Sequence, residues 1–250
     1  VIRTLWFYLV GSLATLYFAG GVVIRAYVWP RNLHCACDRA ARNWGRFLLW
    51  ASGVKVTFEG LENLRTDGAQ IVVANHQSWF DVFTLAALLP VRYRFAAKKE
   101  LGGVPVFGRA WKACGHVSLD RGNREAAIEA LDLAWREVHE EELTLVLFPE
   151  GTRSQDGRLM PFKKGAFVMA VQGQVPLVPM ALLGTRDIMV KGGIRVRSGE
   201  ILVRIGTPIP TEGSTIGDRN RLMKECWDSI YALKGETEDQ IEDPVPRTRA

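Results

Sequence analysis

The sequence predicts an α/β fold, a mixed central sheet flanked by helices and preceded by an apolar helical segment. Three observations carry it. From Val54 onward short apolar runs alternate with helix-period stretches, the pattern of a layered sheet covered on both faces. Several runs, such as Ile71-Val-Val-Ala74, are apolar at consecutive positions, as in parallel strands buried on both sides. Ahead of them, Thr4 to Ile24 holds no charged side chain.

Taken in order, that first segment would extend about 30 Å as a helix, roughly one hydrocarbon core, and is a membrane candidate. From Asn32 to Ala51, at about 100° per residue, Arg39, Arg42 and Arg46 share one side while Leu33, Cys37, Ala40, Trp44, Leu48 and Ala51 gather on the other, a basic amphipathic helix. With Trp29, Trp44 and Trp50 as interfacial anchors, residues 1–53 are expected to form a membrane-associating hairpin, dipping into one leaflet or spanning it once before a surface helix. If the first segment spans, the arginines after it place the remainder on the cytoplasmic side of the inner membrane.

Residues 54–235 form the expected α/β domain. Its strands fall in VKVTFEG, QIVVAN, RFAAKK, GHVSLD, LTLVLFPEG, VPLVPMALL and ILVRIGTPI, and its helices in DVFTLAALL, VFGRAWKAC, NREAAIEALDLAWREVHEE, KGAFVMAVQG and DRNRLMKECWDSIYALKG. The polar residues 236–250 are expected to be a disordered tail.

Composition bounds the partners. A formal net charge of +5 suits an acidic partner, whether nucleic acid, anionic lipid, a phosphorylated substrate or an acidic carrier protein, and charge alone does not choose among them. The four cysteines form no paired CxxC motifs, so reduced thiols are expected and no metal site. No P-loop, no dinucleotide-binding glycine fingerprint and no G-x-S-x-G elbow is present, which argues against an ATPase, a Rossmann enzyme and a serine hydrolase.

The chemistry gathers at strand exits, where α/β folds place their sites. After QIVVA come His76 and, five residues on, Asp81. On a regular helix such a pair would point about 140° apart, so contact requires His76 in the turn and Asp81 in the first helical turn. Ser78 is a suitable N-cap and Ser-Trp-Phe-Asp resembles a capping box, which puts the helix start between the two. A first-turn carboxylate also favours the helix dipole whatever the histidine does. The strand from Leu143 to Phe148 delivers Pro149, Glu150, Gly151, Thr152, Arg153 and Ser154 into a loop, where Gly151 permits close backbone approach and Arg153 offers a donor fork for phosphate. HVSL ends in Asp120-Arg121-Gly122 ahead of a long helix, leaving Arg121 where anions are favoured. Lys98 adds a cation at another exit, and Val175 to Pro179 shapes or terminates a strand beneath.

The ordered blocks NHQSWFD, LDRGNR, FPEGTRS and VPLVP resemble those of the glycerolphosphate and lysophosphatidic acid acyltransferase family over about Val54 to Thr211. The resemblance implies an α/β domain and acyl transfer from acyl-CoA or acyl-acyl carrier protein to a glycerol hydroxyl. The apolar N-terminal segment then favours a bilayer-resident acceptor over water-soluble glycerol 3-phosphate, so the expected transfer is to the sn-2 hydroxyl of 1-acylglycerol 3-phosphate, giving phosphatidic acid. The resemblance also implies His76 as general base, Asp81 orienting it, Arg153 and Arg121 on the acceptor phosphate, Glu150, Gly151 and Thr152 shaping that loop, and Lys98 contributing. Expected partners are membrane lipid and the acyl donor, with no nucleic acid, cofactor or metal. The alternatives are the same fold acting on another lyso-lipid (lyso-ornithine lipid or lysocardiolipin), a thioesterase or lipid hydrolase, and a non-catalytic anionic-lipid binding protein.

Overall fold

The computed structural model describes residues 1–31, 33–120, 122, 130, 136 and 139–235. Two helices come first, α1 (Ile2–Val28) and α2 (Leu33–Ser52), running antiparallel: Arg3 Nη1 donates to Ser52 O (3.0 Å) at one end, and Trp44 Nε1 to Thr15 Oγ1 (2.9 Å) further along. Small residues permit the approach. A Cβ on Gly45 would lie 2.8 Å from backbone atoms of Phe83 and Ala87, so α2 can press against the helix beneath it only with glycine there.

Seven strands follow: β1 (Val54–Glu59), β2 (Gln70–Ala74), β3 (Tyr93–Lys98), β4 (Val117–Leu119), β5 (Thr144–Leu147), β6 (Leu177–Leu183) and β7 (Gly199–Ile205). They make one sheet in the order β1-β7-β6-β2-β5-β3-β4, parallel at every pairing except β6 with β7. All seven predicted strands are present. Between them lie α3 (Trp79–Leu88), α4 (Phe107–Ala113), α5 (Gly165–Gly173), the single-turn α6 (Thr185–Ile188) and α7 (Arg219–Lys234). Most of the predicted helix from Asn123, and the tail 236–250, lie outside the described residues.

Alternation along β2 divides the core. Val72 and Ala74 pack with α3, Leu48, Leu49 and Phe7 on one face; Ile71 and Val73 pack with Phe167 of α5 and Trp227 of α7 on the other. The hairpin therefore shares a core with the sheet. Its outer side is different: Leu5, Leu9, Leu13, Leu16 and Tyr17 of α1 are exposed, and α1 is long and apolar enough to cross a membrane. An apolar outer face of this kind associates with a membrane.

Four expectations are corrected. Cys37 of α2 and Cys114, at the end of α4, are joined in a disulfide, because the two helix ends pack together across 77 residues of sequence; Cys35 and Cys226 remain thiols. Arg42 is not free to face lipid: it donates to the carbonyls of Leu89 and Val91, capping the end of α3. Trp44 is turned into the hairpin, where its N–H meets Thr15, leaving Trp29 and Trp50 exposed. Pro179 lies inside β6 rather than at its end; its carbonyl accepts from Gly206 N, and with no N–H to return that bond the β6–β7 ladder stops at Met180 and Ile205.

Candidate active site

Parallel β2 and β5 are neighbours, with Val73 opposite Leu147, so their exits release His76 and the Pro149–Arg153 loop side by side at the same edge. Asn75 anchors the first exit by exchanging two hydrogen bonds with Leu182 of β6, at 2.7 and 3.0 Å. Gln77 Nε2 also donates to Leu182 O (2.8 Å), so the turn is fixed on both sides of His76.

The helix start is where the sequence places it. Ser78, extended at φ −146°, caps α3; its hydroxyl accepts from Phe80 N (3.3 Å) and donates to Met189 O (2.7 Å). Asp81, at the third helical position, reaches back. Its Oδ2 accepts from His76 Nδ1 (2.7 Å), Gln77 N (2.7 Å) and Ser78 N (2.8 Å). The Asp81 side chain is wholly buried and that of His76 is 15% exposed. A carboxylate can only accept, so Nδ1 carries the proton and the Nε2 lone pair is left to act as a base. Phe148 stacks on the imidazole at 4.2 Å and 21°, fixing its plane.

Glu150 ties the two exits together. Its Oε1 accepts from His76 N (2.5 Å) and its Oε2 from Met160 N (3.2 Å). Burial pushes its carboxyl up to about 8, against the pull of these two N–H donors. Returning the contact, His76 O accepts from Ser154 N at 2.7 Å.

The cations are held differently. Arg153 is half-buried, and burial lowers its pKa while the Asp81 charge opposes that shift. Its guanidinium lies over the Trp79 ring, 5.0 Å from the centroid. Gly151 has φ +71°, and a Cβ there would come within 2.7 Å of Lys163 Cε and 2.8 Å of its Nζ, so glycine lets the lysine chain lie across the loop. Thr152 is exposed in the same loop. Lys98 ends β3; by the β3–β5 register it is level with Pro149, yet it is 54% exposed and paired with Glu100 at 2.9 Å. Arg121 lies outside the described residues.

Sequence reasoning missed Lys163 and Trp79, which reach the site only through folding; the bulky aromatic beside a capping serine was the one available hint for Trp79. It also missed an apolar cavity bordered by Phe18, Val22, Ala41, Val82, Phe95 and Trp111, between the hairpin and the sheet. Val82 of α3, the residue after Asp81, lines this cavity. His116, at its lining, is held neutral at a pKa of about 3 by burial and accepts from Phe95 N.

Known acyltransferases resemble this chain in sequence and in fold. A 1-acyl-sn-glycerol-3-phosphate acyltransferase of Cocos nucifera is 42% identical over 168 residues, covering 67% of this chain and 54% of the relative. The alpha form from Homo sapiens is 36% identical over 181 residues, covering 72% of this chain and 64% of the relative. The chain thus spans between about half and two thirds of these relatives' lengths. The crystal structure of the 1-acyl-sn-glycerophosphate (LPA) acyltransferase PlsC from Thermotoga maritima superposes with a TM-score of 0.78 at 27% identity, covering 95% of this chain and 97% of that one. The profile described as Acyltransferase matches residues 55–183, from β1 through β6 and across both strand exits, and the chain belongs to that acyltransferase family.

Proposed function

We propose that the protein transfers a fatty acyl group from an acyl thioester, acyl-CoA or acyl-acyl carrier protein, to the sn-2 hydroxyl of 1-acylglycerol 3-phosphate, giving phosphatidic acid for phospholipid synthesis. The observation that carries this is the His76–Asp81 contact of 2.7 Å, which leaves the imidazole Nε2 as a base beside a loop bearing Arg153. The acceptor hydroxyl loses its proton to His76 Nε2 as its oxygen bonds to the thioester carbonyl carbon. Asp81 stabilises the imidazolium that results. When the intermediate collapses, the C–S bond breaks and the thiolate takes that proton. The alcohol fills the role of the nucleophile, so no acyl-enzyme forms.

Arg153 binds the acceptor phosphate, joined by Lys163 from across Gly151 and by Arg121 on the family resemblance; Glu150, Gly151 and Thr152 shape the loop. The exposed apolar face of α1 supports a membrane-resident, single-chain acceptor over water-soluble glycerol 3-phosphate. We place the chain at the inner membrane, catalytic domain on the cytoplasmic side. Purified protein given 1-acylglycerol 3-phosphate and each donor in turn tests this. Phosphatidic acid should form with at least one donor and vanish in His76→Ala; efficient transfer only to a phosphate-free acceptor would refute the acceptor assignment.

A further inference from the structure

Among the described residues the Arg153 side chain makes no ion pair or hydrogen bond; what it meets is a ring. The guanidinium carbon is 5.0 Å from the centroid of the Trp79 indole, inside the roughly 6 Å over which a cation is drawn to an aromatic face. Trp79 opens α3, between the Ser78 cap and Asp81. Phe83, one turn on, lies 6.5 Å from it with the rings 14° from parallel, and so backs the indole. The next residue after Arg153 is pinned to His76 O. Ring and cation thus belong to the two segments that build the base.

We infer that Trp79 is a positioning residue for the acceptor phosphate, its indole face holding Arg153 in place without neutralising it. The inference rests on Arg153 being the phosphate clamp. A carboxylate at this place would order the arginine equally well, but it would occupy the N–H fork and cancel the charge that a phosphate needs. An aliphatic side chain would leave the charge and lose the order. An aromatic face does neither: it attracts the cation through its π cloud and offers no acceptor oxygen, so the N–H fork stays available to phosphate oxygens. The same helical turn that presents Asp81 to His76 then fixes where the phosphate sits relative to the base.

The test is steady-state kinetics of the full chain with 1-acylglycerol 3-phosphate for wild type, Trp79→Phe, Trp79→Leu, Arg153→Ala and the Trp79→Leu/Arg153→Ala double variant, with melting temperatures beside them. Trp79→Leu should raise the acceptor KM between about 3-fold and 30-fold, with kcat changed less than about 2-fold, and Trp79→Phe should restore most of the loss. In the Arg153→Ala background, Trp79→Leu should add less than about 2-fold. An equal cost of Trp79→Leu in both backgrounds would mean that the ring acts through packing or lipid contact, and would overturn the inference while leaving the clamp intact. An Arg153→Ala variant with an unchanged acceptor KM would instead remove the clamp, and the inference with it. Should the leucine variant melt early, Trp79→Phe carries the same comparison: its expected rise of about 2-fold must depend on Arg153, and a rise independent of Arg153 overturns the inference.

Discussion

The two ends of the site are built in opposite ways. At the base end, Asp81 Oδ2 accepts three hydrogen bonds, His76 is held through its backbone N–H, its carbonyl and its ring, and the Asp81 carboxylate is shut from solvent. At the anion end, Arg153 rests on an aromatic face and Lys163 stretches across a glycine. In the proposed reaction the difference follows from what each end must do. A base has to be oriented before substrate arrives, whereas a cation satisfied by the protein has less to offer a phosphate.

The largest way to break that contrast is at the base. His76→Ala should lower kcat by about 10³-fold or more, with the acceptor KM changed little, as measured by phosphatidic acid formation. Asp81→Asn, which replaces one acceptor of three N–H groups by an amide that can present an N–H in its stead, should cost about 10²- to 10⁴-fold in kcat and lower the melting temperature as well. At the anion end the effect should move to binding: Arg153→Ala should raise the acceptor KM about 10- to 100-fold, with Arg153→Lys between it and wild type.

Glu150 sharpens the comparison through pH. Its folded-state pKa is raised to about 8 from an ordinary 4.5 by burial, so the folded protein keeps a proton that the unfolded chain releases. The stability this contributes is complete below about pH 4.5 and is lost as pH rises through about 8. Wild type should therefore lose on the order of 5 °C more in melting temperature between pH 6 and pH 9 than Glu150→Gln, as thermal scans at the two pH values would record. The smallest effect is expected at Lys98, whose ammonium is already paired: Lys98→Ala should change kcat/KM by less than about 3-fold.

Much of this was legible in the chain because it is local. The apolar runs that become β2 and β5 are continuous enough to mark buried parallel strands, and Ser78-Trp-Phe-Asp81 contains within four residues both the cap and the carboxylate that reaches back over it. That local signal places His76 outside the helix and makes its contact with Asp81 possible. What was not legible depends on partners far apart in sequence. Arg42 looks like one cation of a basic helical face until α2 docks over the end of α3; Cys37 and Cys114 have no motif in common; and Trp79 meets Arg153 only because parallel strands release their segments together. Periodicity reports which face of an element is apolar, but not which neighbour will cover it.

Thiol release from the acyl donor, followed with and without 1-acylglycerol 3-phosphate in wild type and His76→Ala, tests the central claim most directly: that His76 activates the acceptor hydroxyl for direct transfer. Thiol should appear only when acceptor is present, match phosphatidic acid mole for mole, and fall to background in the variant. Thiol released by wild type without acceptor, or release that survives the loss of His76, would contradict it.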